Sequence, residues 1–298
     1  MQKRLLNCFS SDFINITKEE LKSAIKANEG RTIVSENIVT QEPFSHGITN
    51  SEVARAFGAD LILLNTFDMD KKFIWGLEES KDPINLLKKL VGRPIGVNLE
   101  PVDFSASMLE KIDLIPKGRI CSKESLKEAS ELGFDFICLT GNPATGVSNR
   151  EIAKAVKLAK EFFNGLIIAG KMHGSGVDED FINLASIKEF IESGADVIMV
   201  PAVGTIPGFT QDKLVEIVNF VKRHNCLIMT AIGTSQESGR KEMIREIAIQ
   251  NKIAGADIQH IGDGSHSGIA PYENIFEMSL ALRGTRHTIR LIAASINR

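Results

Sequence analysis

The sequence predicts an α/β protein built as one closed (β/α)8 barrel, with an extra N-terminal helix and an extended C-terminal helical region. The first observation behind this prediction is a repeated lead-in, in which a glycine, one further residue and an aspartate precede an apolar run. The lead-in starts at Gly58, Gly133, Gly194 and Gly255, at spacings of 75, 61 and 61 residues. A strand with its helix takes about 30 residues, so each spacing holds two strand-helix units of one repeating array.

The second observation is that eight short apolar runs alternate with helical segments along the chain. Runs that are apolar throughout are typical of strands buried on both faces, as in a parallel sheet. Right-handed crossovers repeated eight times close such a sheet into a TIM barrel. The strands are predicted at residues 31–39, 60–67, 93–102, 134–140, 165–174, 196–205, 226–235 and 258–263.

A helix is predicted after every strand, and one more precedes the first strand. This extra helix lies in an N-terminal extension of residues 1–30, where Thr17 and Glu20 form a capping box and Gly30 follows the helix end. We expect it to cover one end of the barrel. The helices are predicted at residues 18–28, 50–59, 84–92, 122–133, 149–163, 181–193, 211–224 and 238–254, and from Tyr272 onwards.

We predict that residues 1–298 form a single domain, because no linker or low-complexity segment interrupts the array. The alternative is an open, doubly wound sheet, which would carry a GxGxxG motif after its first strand. The sequence there reads TQEPFSHGIT, which favours the barrel. The aspartate of each lead-in falls at the N-terminal end of a strand, where we expect it to support turns and helix ends.

Composition limits the classes of function. The net charge is −3 and aromatic residues make up 6% of the chain, which disfavours nucleic-acid binding. No apolar run reaches 18 residues, and the N-terminus lacks a sustained apolar segment, so we expect neither a membrane span nor a secretion signal. We therefore expect a cytoplasmic homo-oligomer whose partner is a small anionic substrate.

The third observation is that polar residues gather at the C-terminal ends of the strands, where the chemistry of this fold takes place. Side chains alternate along a strand, and the position five residues after each lead-in glycine is filled by Leu63, Cys138, Met199 and His260. We predict that His260 points into the barrel mouth on this basis. The predicted catalytic residues are Asn98, Glu100, Lys171, His173, His260 and Asp263.

Two of these residues, Lys171 and His173, are predicted to share one side of the fifth strand above the small residue Ala169. A lysine in a desolvated mouth can form a Schiff base, or it can remain charged and stabilise an enolate. His173 and His260 would then transfer protons, and Glu100 would act as a base or orient Lys171. A direct contact between Glu100 and Lys171 would favour the charged lysine.

Divalent-metal chemistry is the main alternative. Carboxylates and imidazoles that converge at the mouth could hold Mg²⁺ or Zn²⁺, although no known metal-binding spacing is present. Glu36 competes with its neighbours Ser35 and Asn37 for the inward position of the first strand. The candidate metal ligands are Glu36, Glu100, His173 and His260, with Asp263 as a further possibility.

The loops after the seventh and eighth strands predict a phosphate site. Barrels often bind phosphate there, because glycines allow the backbone to approach an anion and hydroxyls add donors. Asp263 would oppose phosphate binding unless it points away. The predicted phosphate ligands are Gly233, Thr234, Ser235, Gly262, Gly264 and Ser265.

The segments VGRPIGVNLEP, LTGNPATGVSN, IIAGKMHGSGV, MTAIGTSQE and QHIGDGSHSGIAP resemble a bacterial family of single-domain TIM barrels of unassigned function, over nearly the whole chain. That family is loosely similar to phosphoenolpyruvate phosphonomutases and to phosphate-binding barrels. The phosphonomutase and isocitrate lyase pattern includes an acidic Mg²⁺ cluster and a KKCGH-type loop. The nearest stretch here, KMHGSG at 171–176, lacks the cysteine. The resemblance therefore implies the barrel but no particular reaction.

Taken together, the sequence predicts an enzyme that acts on a small phosphorylated carbonyl or sugar, as a lyase/aldolase or an isomerase, through enolate or Schiff-base chemistry. One alternative is a metal-assisted enzyme similar to phosphonomutase and isocitrate lyase. The other is a barrel that binds a phosphorylated metabolite without catalysis.

Overall fold

Eight parallel strands close into a barrel in the order β1 to β8, with β8 paired to β1. The structure is a computed structural model that describes residues 3–180 and 182–298. The closed array confirms the predicted (β/α)8 fold and rules out the open sheet. The strands are β1 (Thr32–Ile38), β2 (Leu61–Asn65), β3 (Ile95–Leu99), β4 (Phe136–Leu139), β5 (Leu166–Gly170), β6 (Val197–Pro201), β7 (Leu227–Ile232) and β8 (Ile258–Ile261).

Helices alternate with the strands around the outside of the barrel. They are α1 (Lys18–Lys26), α2 (Asn50–Ala56), α3 (Pro83–Val91), α4 (Lys123–Glu131), α5 (Asn149–Phe162), α6 (Leu184–Ser193), α7 (Gln211–Arg223), α8 (Lys241–Ala254) and α9 (Tyr272–Ala293). Short 3-10 helices occur at Leu5–Asn7, Ser10–Phe13, Lys117–Arg119 and Gln236–Ser238. No helix among these described segments is long and apolar enough to span a membrane.

Helices α6 and α9 differ from the prediction for local reasons. Helix α6 begins three residues later than predicted, because the side chain of Asn183 accepts a hydrogen bond from the backbone N–H of Ser186 and caps the helix there. Helix α9 is interrupted at Gly284, whose φ of 71° is not helical. The first residue predicted for α6, Phe181, and residues 1 and 2 of the predicted extension lie outside the described residues.

Two apolar layers form the core. Alternate residues of each strand fill the barrel interior, and the others pack against the helices, as Phe136 and Ile137 of β4 illustrate. Gly96 on β3 makes room for the Phe136 ring, because a Cβ atom at Gly96 would lie 2.2 Å from Phe136 Cε2. The layers establish which side chains of each strand face the barrel axis.

Helix α1 covers the N-terminal end of the barrel, as predicted. Its buried residues Leu21, Ala24 and Ile25 belong to the same apolar cluster as the interior residues of the strands. The predicted capping box is present, since the Thr17 side chain accepts from the backbone N–H of Glu20. The opposite end of the barrel is therefore the one open to a ligand.

The repeated aspartates are structural, as expected. Each carboxylate accepts a hydrogen bond from a backbone N–H at the start of a neighbouring strand, over 2.8–3.1 Å. Asp60 also forms a buried ion pair with Arg283 of α9, with both carboxylate oxygens 2.9 Å from Nη1. The four bonds run from Ile33 to Asp60, from Ile95 to Asp135, from Ile167 to Asp196 and from Ile228 to Asp257.

Candidate active site at the C-terminal mouth of the barrel

Polar side chains replace apolar ones in the barrel interior at its C-terminal end. Val34, Leu63 and Ile258 belong to the interior cluster, and two residues further along their strands stand Glu36, Asn65 and His260. The inward position predicted for His260 is thus confirmed, together with that of Leu63, Cys138 and Met199 at the equivalent places. These side chains mark the base of the mouth.

Glu36 is the inward residue of β1, which settles the choice the sequence left open. Asn37 points the other way, since its side chain accepts from the hydroxyl of Ser51 on α2. Glu36 Oε2 lies 3.0 Å from His260 Nε2, and both side chains are buried. His260 pairs with Val34, which lies two residues before Glu36 on β1. The imidazole therefore supports the Glu36 carboxylate from the interior side of the mouth.

Asp263 follows β8 and is half-buried at the mouth. Its Oδ2 accepts a hydrogen bond of 2.8 Å from Asn65 Nδ2. Burial raises the pKa of Asp263 well above its usual value, and the negative charges of Glu36 and Glu237 raise it further, while the bond from Asn65 opposes them. Asp263 is therefore a carboxyl group that retains its proton more readily than an ordinary aspartate.

Glu237, in the 3-10 helix after β7, is a site residue that the sequence did not reveal. It is 2% exposed, and its Oε2 has no hydrogen-bond partner among the described residues. Burial is the main reason that its pKa is raised, and the charge of Glu36 adds to the effect. Asn274 of α9 holds this segment by donating to the backbone carbonyl of Glu237 over 2.8 Å.

Three asparagine side chains form a network across β2, β3 and the loop after β4. Asn65 and Asn142 bond each other reciprocally at 2.8 and 3.0 Å, and Asn98 donates to Asn65 Oδ1 at 3.2 Å. Each amide nitrogen carries two hydrogens, so Asn98 and Asn142 each retain one N–H beyond these bonds. These N–H groups can face an oxygen of a bound substrate.

Glu100 does not contact Lys171, contrary to the prediction that it would orient that lysine. Its Oε1 is paired with Arg119 Nη2 at 2.5 Å, and its Oε2 accepts the backbone N–H of Asn142 at 2.9 Å. Arg119 stands in the long loop between β3 and α4, and its Nε is buried without a partner among the described residues. The sequence could not predict the position of Arg119, because a long loop has no regular spacing that places its residues.

Lys171 is held by Glu179, with 2.6 Å between Nζ and Oε1. The side chain is fully buried, and this desolvation lowers the pKa of Lys171, while the negative charge of Glu179 opposes the shift. The inward phase predicted for β5 is wrong, because Ala169 packs in the outer layer, whereas Ile168 and Met172 lie in the interior cluster. Gly170 ends the strand with a φ of 150°, and a Cβ atom there would lie 1.9 Å from the carbonyl oxygen of Met199.

His173 lies at the mouth, near enough to Glu36 and Glu100 for the charges of both to act on its ring. Its Nδ1 accepts the backbone N–H of Ser175 at 3.1 Å, so the ring proton of the neutral form is on Nε2. Desolvation lowers the pKa of His173, although the charges of Glu36 and Glu100 oppose the shift. Neutral His173 can therefore donate a hydrogen bond from Nε2.

The predicted phosphate loops do lie side by side, but a carboxylate occupies the space between them. A Cβ atom at Gly264 would lie 1.9 Å from Glu237 Oε1, and one at Gly262 would lie 3.5 Å from Gly233 Cα. The hydroxyls of Thr234 and Ser265 are bonded to the backbone carbonyls of Thr205 and Ile269. The geometry gives little support to the prediction that Gly233, Thr234, Ser235, Gly262, Gly264 and Ser265 cradle a phosphate, because a carboxyl side chain lies against Gly264 and two of the hydroxyls are engaged.

The four predicted metal ligands do not form one group. Among residues 3–180 and 182–298, no three His, Cys, Asp or Glu side chains form a group that could hold a metal ion. Glu36 is bonded to His260, whereas Glu100 is paired with Arg119. The residues as they are arranged therefore do not fit Mg²⁺ or Zn²⁺.

Several buried polar atoms at this end of the barrel have no hydrogen-bond partner among the described residues. In native proteins more than about 90% of buried polar groups are bonded. A cluster of unbonded atoms thus indicates where a ligand or ordered water supplies the missing bonds. The atoms at this end, among the described residues, are Asn98 Oδ1, Arg119 Nε, Thr140 Oγ1, Glu237 Oε2 and His260 Nδ1.

The raised pKa of Asp263 predicts how stability depends on pH. Above the ordinary value of 3.8 the unfolded chain loses this proton while the folded protein retains it, so the free energy of unfolding falls as pH rises through this range. Asp263→Asn cannot ionise and should remove up to about 1.4 kcal/mol per pH unit of that fall. Urea unfolding from pH 4 to 8 measures it, with the exposed Asp113→Asn as control. If the free energy of unfolding fell equally with pH in the wild type and in Asp263→Asn, this would contradict a raised pKa of Asp263.

The fold and the site together define a parallel-barrel protein with buried acid–base groups at its C-terminal mouth. A family model described as "Domain of unknown function (DUF7916)" matches residues 6–298, and the chain belongs to this family. The predicted resemblance to a barrel family of unassigned function is thereby confirmed. A search of curated proteins found no match.

Solved structures give the same fold. A 2,3-dimethylmalate lyase, described as a PEP mutase/isocitrate lyase superfamily member, is 11% identical with a TM-score of 0.51, over 83% of this chain and 81% of that chain. The BexX/CysO complex of Amycolatopsis orientalis is 14% identical with a TM-score of 0.50, over 89% of this chain and 93% of that chain. A phosphonopyruvate hydrolase in complex with oxalate and Mg²⁺ is 13% identical with a TM-score of 0.47, over 82% and 80%. At these identities the first two likenesses show a shared fold.

Proposed function

We propose that the protein is a lyase that cleaves a carbon–carbon bond of a small hydroxy acid through an enolate. The observation that carries this proposal is the pair of carboxyl groups at the mouth. Glu36 is supported by His260 at 3.0 Å, and Asp263 has a pKa raised by burial and by the charge of Glu36. Two carboxyls in different environments suit a general base and a general acid in one site.

Each step of the cleavage can be assigned to a residue of the mouth. Glu36 accepts the proton of the substrate hydroxyl, and the C–O bond becomes a carbonyl as the neighbouring C–C bond breaks. The electron pair of that bond passes into the second fragment, which leaves as an enolate. Asp263 then gives its proton to the enolate carbon, and the proton on Glu36 restores Asp263 through solvent. The groups that carry protons in these steps are the two carboxyls and solvent water.

Hydrogen-bond donors around the mouth stabilise the charge that develops. His173 donates from Nε2, and the unused N–H groups of Asn98 and Asn142 face the enolate oxygen. The unpartnered Nε of Arg119 suits a substrate carboxylate. His260 acts here as a positioning residue, since it reaches the substrate only through Glu36. Lys171 is paired with Glu179, so a charged lysine is proposed rather than a Schiff base.

Of the functions predicted from the sequence, the likeness to phosphonomutase and isocitrate lyase is better supported than a phosphorylated sugar substrate. The 2,3-dimethylmalate lyase shares the fold, and Glu237 fills the space predicted for phosphate. Metal dependence is part of that alternative, and it is the element that the arrangement of side chains supports least. We therefore propose the reaction class of that alternative, carried out by the side chains of the mouth.

Incubation with 2-hydroxy dicarboxylic acids, malate and 2,3-dimethylmalate among them, tests the reaction class and the role of metal. Proton NMR should detect a 2-oxo acid product, and turnover should remain within about twofold when EDTA is added, because the mechanism uses only side chains. A loss of turnover in EDTA that Mg²⁺ restores would favour the metal-assisted alternative. No product from any acid of the panel would count against the lyase.

A further inference from the structure

A cavity of about 790 Å³ lies beside the mouth, between the loop after β1, the loop after β8 and the start of α9. Ser265 and Gly264 line the cavity. The same Gly264 touches the carboxylate of Glu237, because a Cβ atom there would lie 1.9 Å from Glu237 Oε1. The cavity and the acid–base cluster are therefore separated by a single glycine.

The walls of the cavity are fixed by the buried residue Asn50. Its side-chain oxygen accepts the backbone N–H of Phe44 at 3.4 Å, and its amide donates to the carbonyl of Ser267 at 2.5 Å. Ile38 at the end of β1 also donates to the carbonyl of Gly268 at 2.8 Å. These bonds join the loop after β1 to the loop after β8. The fold therefore holds the walls of the cavity in fixed positions.

Aromatic rings form one side of the cavity. Phe44 and Tyr272 meet edge to face with their centroids 5.4 Å apart, and Phe57 supports Tyr272 from behind at 4.6 Å. Phe44 is nevertheless 63% exposed. An exposed ring held in place in this way offers a flat apolar surface to a ligand.

The polar groups of the cavity suit a ligand that bears hydroxyls and no negative charge. Ser265, His266, Ser267 and Glu273 line it, and no lysine or arginine does so among the described residues. Glu273 lies within the lining, and no cationic side chain of the described lining residues offsets its charge, so an anionic group would be repelled. A flat apolar surface combined with hydroxyl, imidazole and carboxylate groups matches a sugar ring or polyol chain.

We propose that this cavity binds the uncharged, polyhydroxylated part of a sugar acid whose carboxylate end reacts at the mouth. The inference rests on the proposed lyase in that the two parts belong to one substrate. The binding of a neutral sugar to the cavity does not depend on turnover. The substrate class is thus a sugar acid without phosphate, in place of the phosphorylated substrate that the sequence predicted.

Saturation-transfer NMR of the full-length protein with neutral methyl glycosides of glucose, galactose and mannose tests the site. At least one glycoside should bind, and Phe44→Ala should weaken its binding about fivefold or more, since an aromatic contact is lost. Phe104→Ala is the matched control, because Phe104 is 71% exposed on another loop, and it should change binding less than twofold. Circular dichroism confirms that both variants remain folded.

Three results would overturn the inference: no binding by any glycoside, equal effects of Phe44→Ala and Phe104→Ala, or tighter binding of glucose 6-phosphate than of the neutral glycosides. The substitution Glu36→Gln separates the two proposals, because it should abolish turnover and leave glycoside binding within twofold. Turnover that depends on Glu36, without binding of any glycoside, would refute the sugar site alone. Phe44-dependent glycoside binding without any turnover would refute the lyase alone and support the sugar site.

Discussion

Replacing Glu36 by glutamine is expected to lower kcat by about 10²- to 10⁴-fold, the range found for a lost general base. Glutamine retains the shape of the side chain and a hydrogen bond to His260, so the fold should be unchanged. The loss should fall on kcat more than on KM, because the carboxylate acts in the transition state. The measurement is steady-state turnover of the acid that the NMR screen identifies.

The control for this substitution is Glu42→Gln, which changes an exposed glutamate on the loop after the same strand. It should leave kcat within twofold. If Glu36→Gln retained more than a tenth of the wild-type turnover, Glu36 would not be the base, and the proton transfer would have to be assigned to another group at the mouth.

Replacing Arg283 by methionine is expected to reduce the free energy of unfolding by about 3–5 kcal/mol, the cost of breaking a buried ion pair from one side. The Arg283 side chain is fully buried, and Nη1 lies 2.9 Å from both oxygens of Asp60. Removing the guanidinium leaves the carboxylate of Asp60 buried, with only its bond from the backbone N–H of Ile33. The bond from Arg283 Nε to the hydroxyl of Ser279 is also lost.

Urea denaturation measures this effect, and Lys154→Met is the matched control. Lys154 is paired with Glu151 at 2.6 Å, but its side chain is 63% exposed, so its loss should change the free energy of unfolding by less than about 1 kcal/mol. Similar effects of the two substitutions would mean that the Asp60–Arg283 pair does not hold α9 against the barrel.

The barrel could be predicted because its signals are local and repeated. The lead-in aspartates mark strand starts by a bond that each repeat makes in the same way, from a carboxylate to the first N–H of a neighbouring strand. Strand alternation then placed His260 in the interior, because β8 is regular up to Ile261. Regular backbone is the condition under which a sequence pattern determines the direction of a side chain.

The same reasoning failed where the phase was misassigned or where the backbone is irregular. The pattern took Ala169 of β5 to face inward, but Ile168 pairs with the interior residue Cys138, so Ala169 faces the helices. Glu237, Arg119 and Glu179 lie between the strands and the longer helices, where no alternation gives the direction of a side chain. The predicted phosphate cradle gains little support for a related reason, because no pattern shows that the side chain of Glu237 folds back onto Gly264.

The central claim is that Glu36 and Asp263 transfer protons next to a carbonyl group, and exchange of carbon-bound hydrogen tests it most directly. Propionate and acetate, the acids whose enolates the cleavage of 2,3-dimethylmalate and malate releases, are incubated with the protein in D₂O, and proton NMR follows the loss of their C2 hydrogen signals. The account predicts that the wild-type protein speeds this exchange at least tenfold over buffer, and that Asp263→Asn brings the rate back to that of buffer. An unchanged rate with the wild-type protein, for both acids, would contradict enolate formation at this site.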